Sequence, residues 1–218
     1  MKKLLWLYLL ILMMPFTTAW AASGLDARLL ALQHGWAHAN YEVDSDKARA
    51  EAFAALEPEA QALVDDYPGR AEPLIWQGIV RSGHAGAKGG LGALSLVKKA
   101  REDFDTAIRI DPRALQGSAY TSLGVLYYKV PGWPLAFGDD DKAQSNLEHA
   151  LAINPDGIDP NYFYAEFLAE RKKDYAQALL FLDKADAAKP RPARPLADAG
   201  RRREIAALRS RVEQHVGE

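Results

Sequence analysis

The feature of this sequence that most constrains its fold is a repeated pattern of small and large residues, closed each time by a proline. A small residue is followed by a large one four positions later, a small one three further on, and a proline five after that. The three copies are Ala100, Phe104, Ala107, Pro112; Ala143, Leu147, Ala150, Pro155; and Ala178, Leu182, Ala185, Pro190. Steps of four and three place the first three residues on one helix face, and the proline cannot continue the helix. The pattern therefore predicts three helices of one design.

A second helix is predicted before each of these. Ahead of Ala143, the residues Tyr120, Leu123, Gly124 and Tyr127 follow helical spacing. A glycine inside a helix costs about 1 kcal/mol relative to alanine, so Gly124 needs a structural reason. Close packing against Ala143 would supply one. Each unit is therefore predicted to be an antiparallel pair of helices with an apolar seam.

These residues carry a family resemblance. The set that resembles the eight signature positions of a tetratricopeptide repeat (TPR) is Tyr120, Leu123, Gly124, Tyr127, Ala143, Leu147, Ala150 and Pro155. The resemblance implies an all-α, TPR-like α-solenoid of helical hairpins. Such hairpins stack so that each contacts its neighbours along one axis.

The predicted domain, residues 22–218, divides into repeats at 71–112, 115–155 and 158–190, preceded by a degenerate unit at 25–68. In that first unit, Pro58 is a candidate break in the second helix. Only the last period is close to the usual length of about 34 residues, so long insertions are predicted within two repeats, at 82–92 and 130–140. A capping helix is predicted at 195–216, with its apolar stripe at Ile205, Leu208 and Val212.

The N-terminus has the pattern of a secretory signal peptide, predicted at residues 1–21. Lys2 and Lys3 precede an apolar run, residues 4–14, and the small residues Ala19 and Ala21 suit cleavage near Ala21. The alternative is an uncleaved anchor helix, but the run is shorter than the roughly 20 residues of a membrane span. We therefore expect a periplasmic or secreted protein without a stable membrane span after cleavage.

Composition excludes several kinds of chemistry. Cysteine is absent, so disulfides and thiolate chemistry are excluded, and a net charge of -2 does not suit a nucleic-acid binder. His34 and His38 have the spacing of a zinc-protease motif, but Gly35 stands where the catalytic glutamate would be. The basic stretch from Ala193 to Arg211 is interpreted as a solvated capping face. We predict no metal site, no cofactor and no enzymatic activity.

The resemblance also implies where a partner would bind, because the first helix of each TPR hairpin lines a concave groove. The groove-facing residues carried over by position are Ile75, Ile79, Thr121, Val125, Tyr128, Tyr162 and Glu166. This apolar and aromatic set favours an apolar peptide or helix, or a small hydrophobic ligand. The alternative is that terminal helices or the inserted loops cover these residues.

The insertion at 130–140, with sequence VPGWPLAFGDD, is rich in apolar residues. Trp133, Leu135 and Phe137 have two alternative interpretations: they fold back over the helix ends as core, or they form the wall or lid of a binding groove. The aspartates from Asp139 to Asp141 are predicted to cap the next helix, which accounts for them without a metal ion.

The helix–loop joint LGVLYYKVPGWP and the leader are also faintly similar to the TPR-type T-component proteins that accompany TRAP solute transporters. Two functions are therefore predicted. The first is a non-enzymatic exported scaffold that binds another envelope protein or an apolar peptide. The second is a carrier of a small hydrophobic ligand enclosed by the 130–140 loop, linked to a solute transporter.

Overall fold

The computed structural model describes residues 16–216 and the side chains of residues 24–215. Most of the predicted signal peptide, residues 1–15, lies outside the described residues. Along the described part the chain forms nine α-helices: α1 (Phe16–Tyr41), α2 (Asp46–Asp66), α3 (Ala71–Lys88), α4 (Leu94–Ile110), α5 (Ser118–Lys129), α6 (Asp140–Ile153), α7 (Ile158–Phe167), α8 (Tyr175–Asp186) and α9 (Pro195–Val216).

The helices pack as consecutive hairpins, α1 with α2, α3 with α4, α5 with α6 and α7 with α8, and α9 packs on α8. The predicted all-α, TPR-like fold class is thus confirmed. The repeated pattern forms the seams of the last three hairpins, since its three small and large residues are completely buried in every copy. Removing these apolar groups from water is the main contribution that holds each pair together.

Glycines let the paired helices approach closely. A Cβ at Gly124 would lie 2.7 Å from Cγ of Leu147 and 3.2 Å from the carbonyl oxygen of Ala143. The close approach predicted from the sequence is therefore present, with Leu147 as the nearest side chain. Gly78 of α3 likewise allows close packing on α4, because a Cβ at this position would lie 2.5 Å from the Phe104 ring.

The sequence expectation that Pro58 breaks a helix is wrong. Pro58 does not split α2, which runs through it from Asp46 to Asp66 and buries Phe53 and Leu63 on either side. Most of the insertion at 82–92 is also helical, because α3 continues to Lys88. Gly83 explains this continuation: its missing side chain lets α3 pack on the Phe53 ring, 2.7 Å from where a Cβ would lie.

The insertion between α5 and α6 is a loop anchored at its C-terminal half. The Phe137 ring packs edge-on against Tyr127 at 5.7 Å, and the Arg101 guanidinium lies 4.5 Å from the same ring. Asp139 caps α6 by accepting from the backbone N–H groups of Asp141 and Lys142, as predicted. Phe137 therefore extends the core, whereas Trp133 and Leu135 are 89% and 66% exposed.

The N-terminal and C-terminal helices meet, so the row of hairpins curls around into a closed ring. The α1 helix packs on α9, which also contacts α7. At this junction Nε2 of His34 lies 2.7 Å from the carbonyl oxygen of Ala193. The predicted capping stripe, Ile205, Leu208 and Val212, is buried. Within residues 16–216, no helix combines the length and apolar character that crossing a bilayer requires.

Candidate functional site

A central cavity of about 240 Å³, partly open to solvent, lies inside the ring. Its walls come from the first helix of every hairpin and from α9 with the segment before it. The lining residues are Trp36, Tyr41, Trp76, Ile79, Ser82, Gly83, Ser118, Thr121, Ser122, Val125, Leu126, Asp159, Phe163, Arg191, Arg194, Ala197 and Arg201. Every hairpin of the described chain thus contributes to the cavity wall.

Aromatic rings form one side of the cavity. Trp36 of α1 lies edge-on to Trp76 of α3, with ring centroids 6.3 Å apart, and edge-on to Tyr41 at 5.8 Å. Such edge-to-face pairs fix the orientation of flat side chains. Ile79 and Val125 continue this apolar wall on α3 and α5.

Arginines and acids form another part of the wall. The Asp159 carboxylate accepts from Nη1 of Arg191 at 2.6 Å and from Nε of Arg201 at 2.9 Å. Arg191 also donates to Asp198 at 2.6 Å, and Arg201 donates to Glu204 at 2.5 Å. Both of these arginines are thus held by two carboxylates each.

The electrostatic environment differs between the acids. Burial disfavours the Asp159 carboxylate, but Arg201 and Arg191 outweigh that effect and hold its pKa well below the ordinary value. Burial raises the pKa of Glu204, against the opposing effect of Arg201. The Asp159 carboxylate is therefore firmly charged, and it neutralises the arginines on either side of it.

Arg194 differs from its two neighbours. Its Nε is buried and has no hydrogen-bond acceptor among the residues that the structure describes. Its guanidinium lies 5.2 Å from the Trp76 ring centroid. Burial, with help from the nearby Arg191 charge, lowers its pKa. Two further donors, Nε1 of Trp36 and Nε1 of Trp76, are likewise buried without an acceptor in the described part of the chain.

A larger cavity of about 790 Å³ adjoins the central one. The two share six wall residues: Trp76, Ser118, Thr121, Asp159, Arg191 and Arg194. The remaining wall of the larger cavity comes from the loops that join the hairpins, around residues 115–116, 154–158 and 187–190. It forms a vestibule to the central cavity, with Arg194 and Trp76 at the boundary.

Three of the predicted groove residues, Ile79, Thr121 and Val125, line the central cavity. The expectation that Ile75 faces the groove is wrong, because the face of α3 that carries it also carries Gly78 and packs on α4. Trp133 is exposed on its loop, so it forms no wall of the cavity.

Phe137, another predicted wall residue, packs on Tyr127 instead, as described above. Tyr128, Tyr162 and Glu166 form a buried cluster. The Glu166 carboxylate accepts from the Tyr128 hydroxyl at 2.6 Å and from the Tyr162 hydroxyl at 3.1 Å. The α9 helix covers this part of the groove, with the Arg201 guanidinium 4.5 Å from the Tyr162 ring.

Sequence reasoning missed the residues that give the cavity its character: Trp36, Trp76, Arg191, Arg194 and Arg201. The interpretation of the tail as a solvated face is wrong for Arg201, which is only 7% exposed, because Asp159 and Glu204 compensate its charge inside the ring. The sequence feature that could have indicated these arginines is the run RPARP at residues 191–195, just before and at the start of α9. Its two arginines lie among prolines, which restrict the backbone there.

The two histidines with zinc-motif spacing do not point to a common ligand. His34 contacts the Ala193 carbonyl, whereas Nδ1 of His38 lies 2.8 Å from the Glu42 carboxylate. Across residues 16–216, no group of three or more acidic or histidine side chains is arranged to hold a metal ion.

The stacked helical hairpins define the fold of this chain, which is TPR-like. Among solved structures it is similar to a thermophilic TPR protein of Thermus thermophilus, with a TM-score of 0.55 and 19% sequence identity over 88% of this chain and 93% of that one. At this identity the likeness shows the fold alone. No family model matches the sequence, and no curated protein matches it either.

Proposed function

We propose that this protein is a non-enzymatic scaffold of the cell envelope, which binds another protein through the loop between α5 and α6. The observation that carries the proposal is the exposure of Trp133, 89% of whose surface is open to water on an anchored loop. A large apolar ring held in this way is costly to leave in water and suits the centre of a protein interface. The TPR-like fold supports the same class of function.

The loop holds Trp133 in place rather than letting it fold back onto the protein. The Gly138 N–H donates to the Pro131 carbonyl at 2.9 Å, which closes the base of the loop. Inside the base, the Leu135 and Ala136 N–H groups both donate to the Gly132 carbonyl, at 3.1 and 3.2 Å. A loop ordered in advance loses little conformational entropy when a partner binds.

The exposed surface indicates the chemistry of the partner. Trp133 and Leu135 are both apolar and exposed on the same short loop. A partner with an apolar pocket, bordered by groups that accept the indole N–H, would satisfy both. The leader pattern at residues 1–21 supports an envelope partner, since a cleaved signal peptide would deliver the chain there.

The proposal is tested with a photoreactive amino acid at position 133, in cells that make the protein with its natural N-terminus. We expect one discrete adduct, identified by mass spectrometry as an envelope protein, and its loss in a second variant that also carries Leu135→Asp. The matched control places the same amino acid at Leu180, which is 55% exposed on α8. An identical set of adducts from both positions would count against the loop as an interface.

Export is tested separately. The mature N-terminus is measured by intact-mass analysis of protein purified from the envelope fraction, and we expect cleavage near Ala21. A chain recovered intact from the cytoplasm would contradict the envelope location while leaving the loop interface open to the crosslinking test.

A further inference from the structure

We infer that the central cavity is a binding site for a small organic anion, a molecule with one carboxylate and a flat apolar body. The site is distinct from the loop around Trp133, whose residues form no part of either cavity wall. The inferred anion site is therefore independent of the proposed protein interface.

The distribution of charge around the cavity identifies the anion-binding group. Asp159, Asp198 and Glu204 all make ion pairs, and every one of these pairs involves Arg191 or Arg201. Arg194 lies beside them, and its guanidinium makes no ion pair within the described part of the chain. A guanidinium binds a carboxylate through two parallel hydrogen bonds, so a ligand carboxylate would provide the acceptor that the protein does not.

The volume of the cavity and its apolar lining indicate what the uncharged part of the ligand would be. Trp36, Trp76 and Phe163 give the cavity an aromatic lining, which suits a ligand with an apolar body. The volume of about 240 Å³ exceeds the roughly 150 Å³ cavity that suffices for benzene. A single- or double-ring acid therefore fits. The vestibule of about 790 Å³ offers the way in, since Arg194 and Trp76 belong to the walls of both cavities.

The inference is tested by isothermal titration calorimetry with matched probes. The acids are indole-3-acetate, phenylacetate and benzoate, and the neutral controls are the corresponding amides. At pH 7 the acids are ionised, and we expect at least one of them to bind about tenfold more tightly than its amide. Arg194→Gln should remove that preference, because it deletes the cation and retains most of the side chain.

Two further variants control the experiment. Arg211→Gln makes the same substitution at an exposed position of α9 and should leave binding unchanged. Ser122→Phe fills the cavity from α5 and should abolish binding of acid and amide alike, while thermal melting reports whether the ring remains folded. The inference is overturned if no acid binds with a dissociation constant below about 1 mM, if each acid and its amide bind equally, or if Arg194→Gln keeps the preference.

Discussion

The Tyr41 ring, at the end of α1, packs directly on Gly200 of α9, and a Cβ at Gly200 would overlap that ring. The Tyr41 hydroxyl also donates to the Glu204 carboxylate at 3.2 Å. These two contacts join the first and last helices of the described chain. They convert a row of hairpins, which would present an open groove, into a ring around a central, partly open cavity.

Gly200→Ala is expected to separate α1 from α9. The added methyl group must displace the Tyr41 ring, and overpacking of this kind costs about 1–3 kcal/mol. Urea unfolding monitored by circular dichroism measures the loss. Gly86→Ala in α3 is the matched control, since a Cβ there meets nothing within 4 Å and should stabilise the helix slightly. Equal stability of the two variants would show that the Tyr41 contact does not hold the ring closed.

Ala143→Leu is expected to disrupt the hairpin of α5 and α6. Ala143 is completely buried beside Gly124, so the larger side chain has no room and the free energy of unfolding should fall by about 1–3 kcal/mol. Ala152→Leu adds the same volume at an exposed position of α6 and should change stability by less than about 0.5 kcal/mol. Differential scanning calorimetry distinguishes the two, and an unaltered melting temperature for Ala143→Leu would contradict the packing described.

Three identical substitutions in and before α9 should have three different effects. Arg201→Gln leaves Glu204 without its arginine and Asp159 with Arg191 alone, and should cost about 3 kcal/mol. Arg194→Gln removes a desolvated cation whose Nε has no acceptor in the described chain, so stability should stay equal or rise. Arg211→Gln, at an exposed site, should change little.

Chemical unfolding of these three arginine variants at pH 7, without added ligand, measures their free energies of unfolding and tests these expected differences. A loss of several kcal/mol in Arg194→Gln would show that this residue supports the fold rather than a ligand, because an arginine retained for binding is not needed by the empty protein.

The stability contributed by Asp159 should depend on pH. Arg201 and Arg191 hold its folded pKa below the ordinary value of about 4, so the unfolded chain binds the proton more readily. Its contribution is therefore fully present above about pH 4 and is lost as the pH falls below that value. Asp159→Asn should destabilise the protein by about 2 kcal/mol at pH 7, with a deficit that narrows in acid.

Unfolding curves between pH 7 and pH 2.5 measure this deficit. Asp156→Asn, at an exposed position in the preceding loop, serves as the control and should follow the wild-type curve throughout. A deficit for Asp159→Asn that is independent of pH would mean that the carboxylate is not held by the arginines.

The hairpins were predictable because their determinants are local. Ala143 and Leu147 are four residues apart, and any α-helix puts such residues on one face, so the seam and the closing proline can be read without knowledge of the rest of the chain. The α6 cap at Asp139 is local in the same sense, since it bonds to N–H groups two and three residues away.

The sequence by itself determined that this protein is a series of helical pairs with small residues at their seams. Only the tertiary structure decided that the series closes into a ring. Closure depends on the contact between Tyr41 and Gly200, which are far apart in the sequence. A periodic sequence pattern reports on neighbouring residues and does not predict such a long-range contact. The same closure buries Arg201 against Asp159 and places Arg194 beside Trp76. Each hairpin is rotated slightly relative to the one before it, and these rotations add up along the chain. They bring charged and aromatic residues that are distant in the sequence together around one cavity.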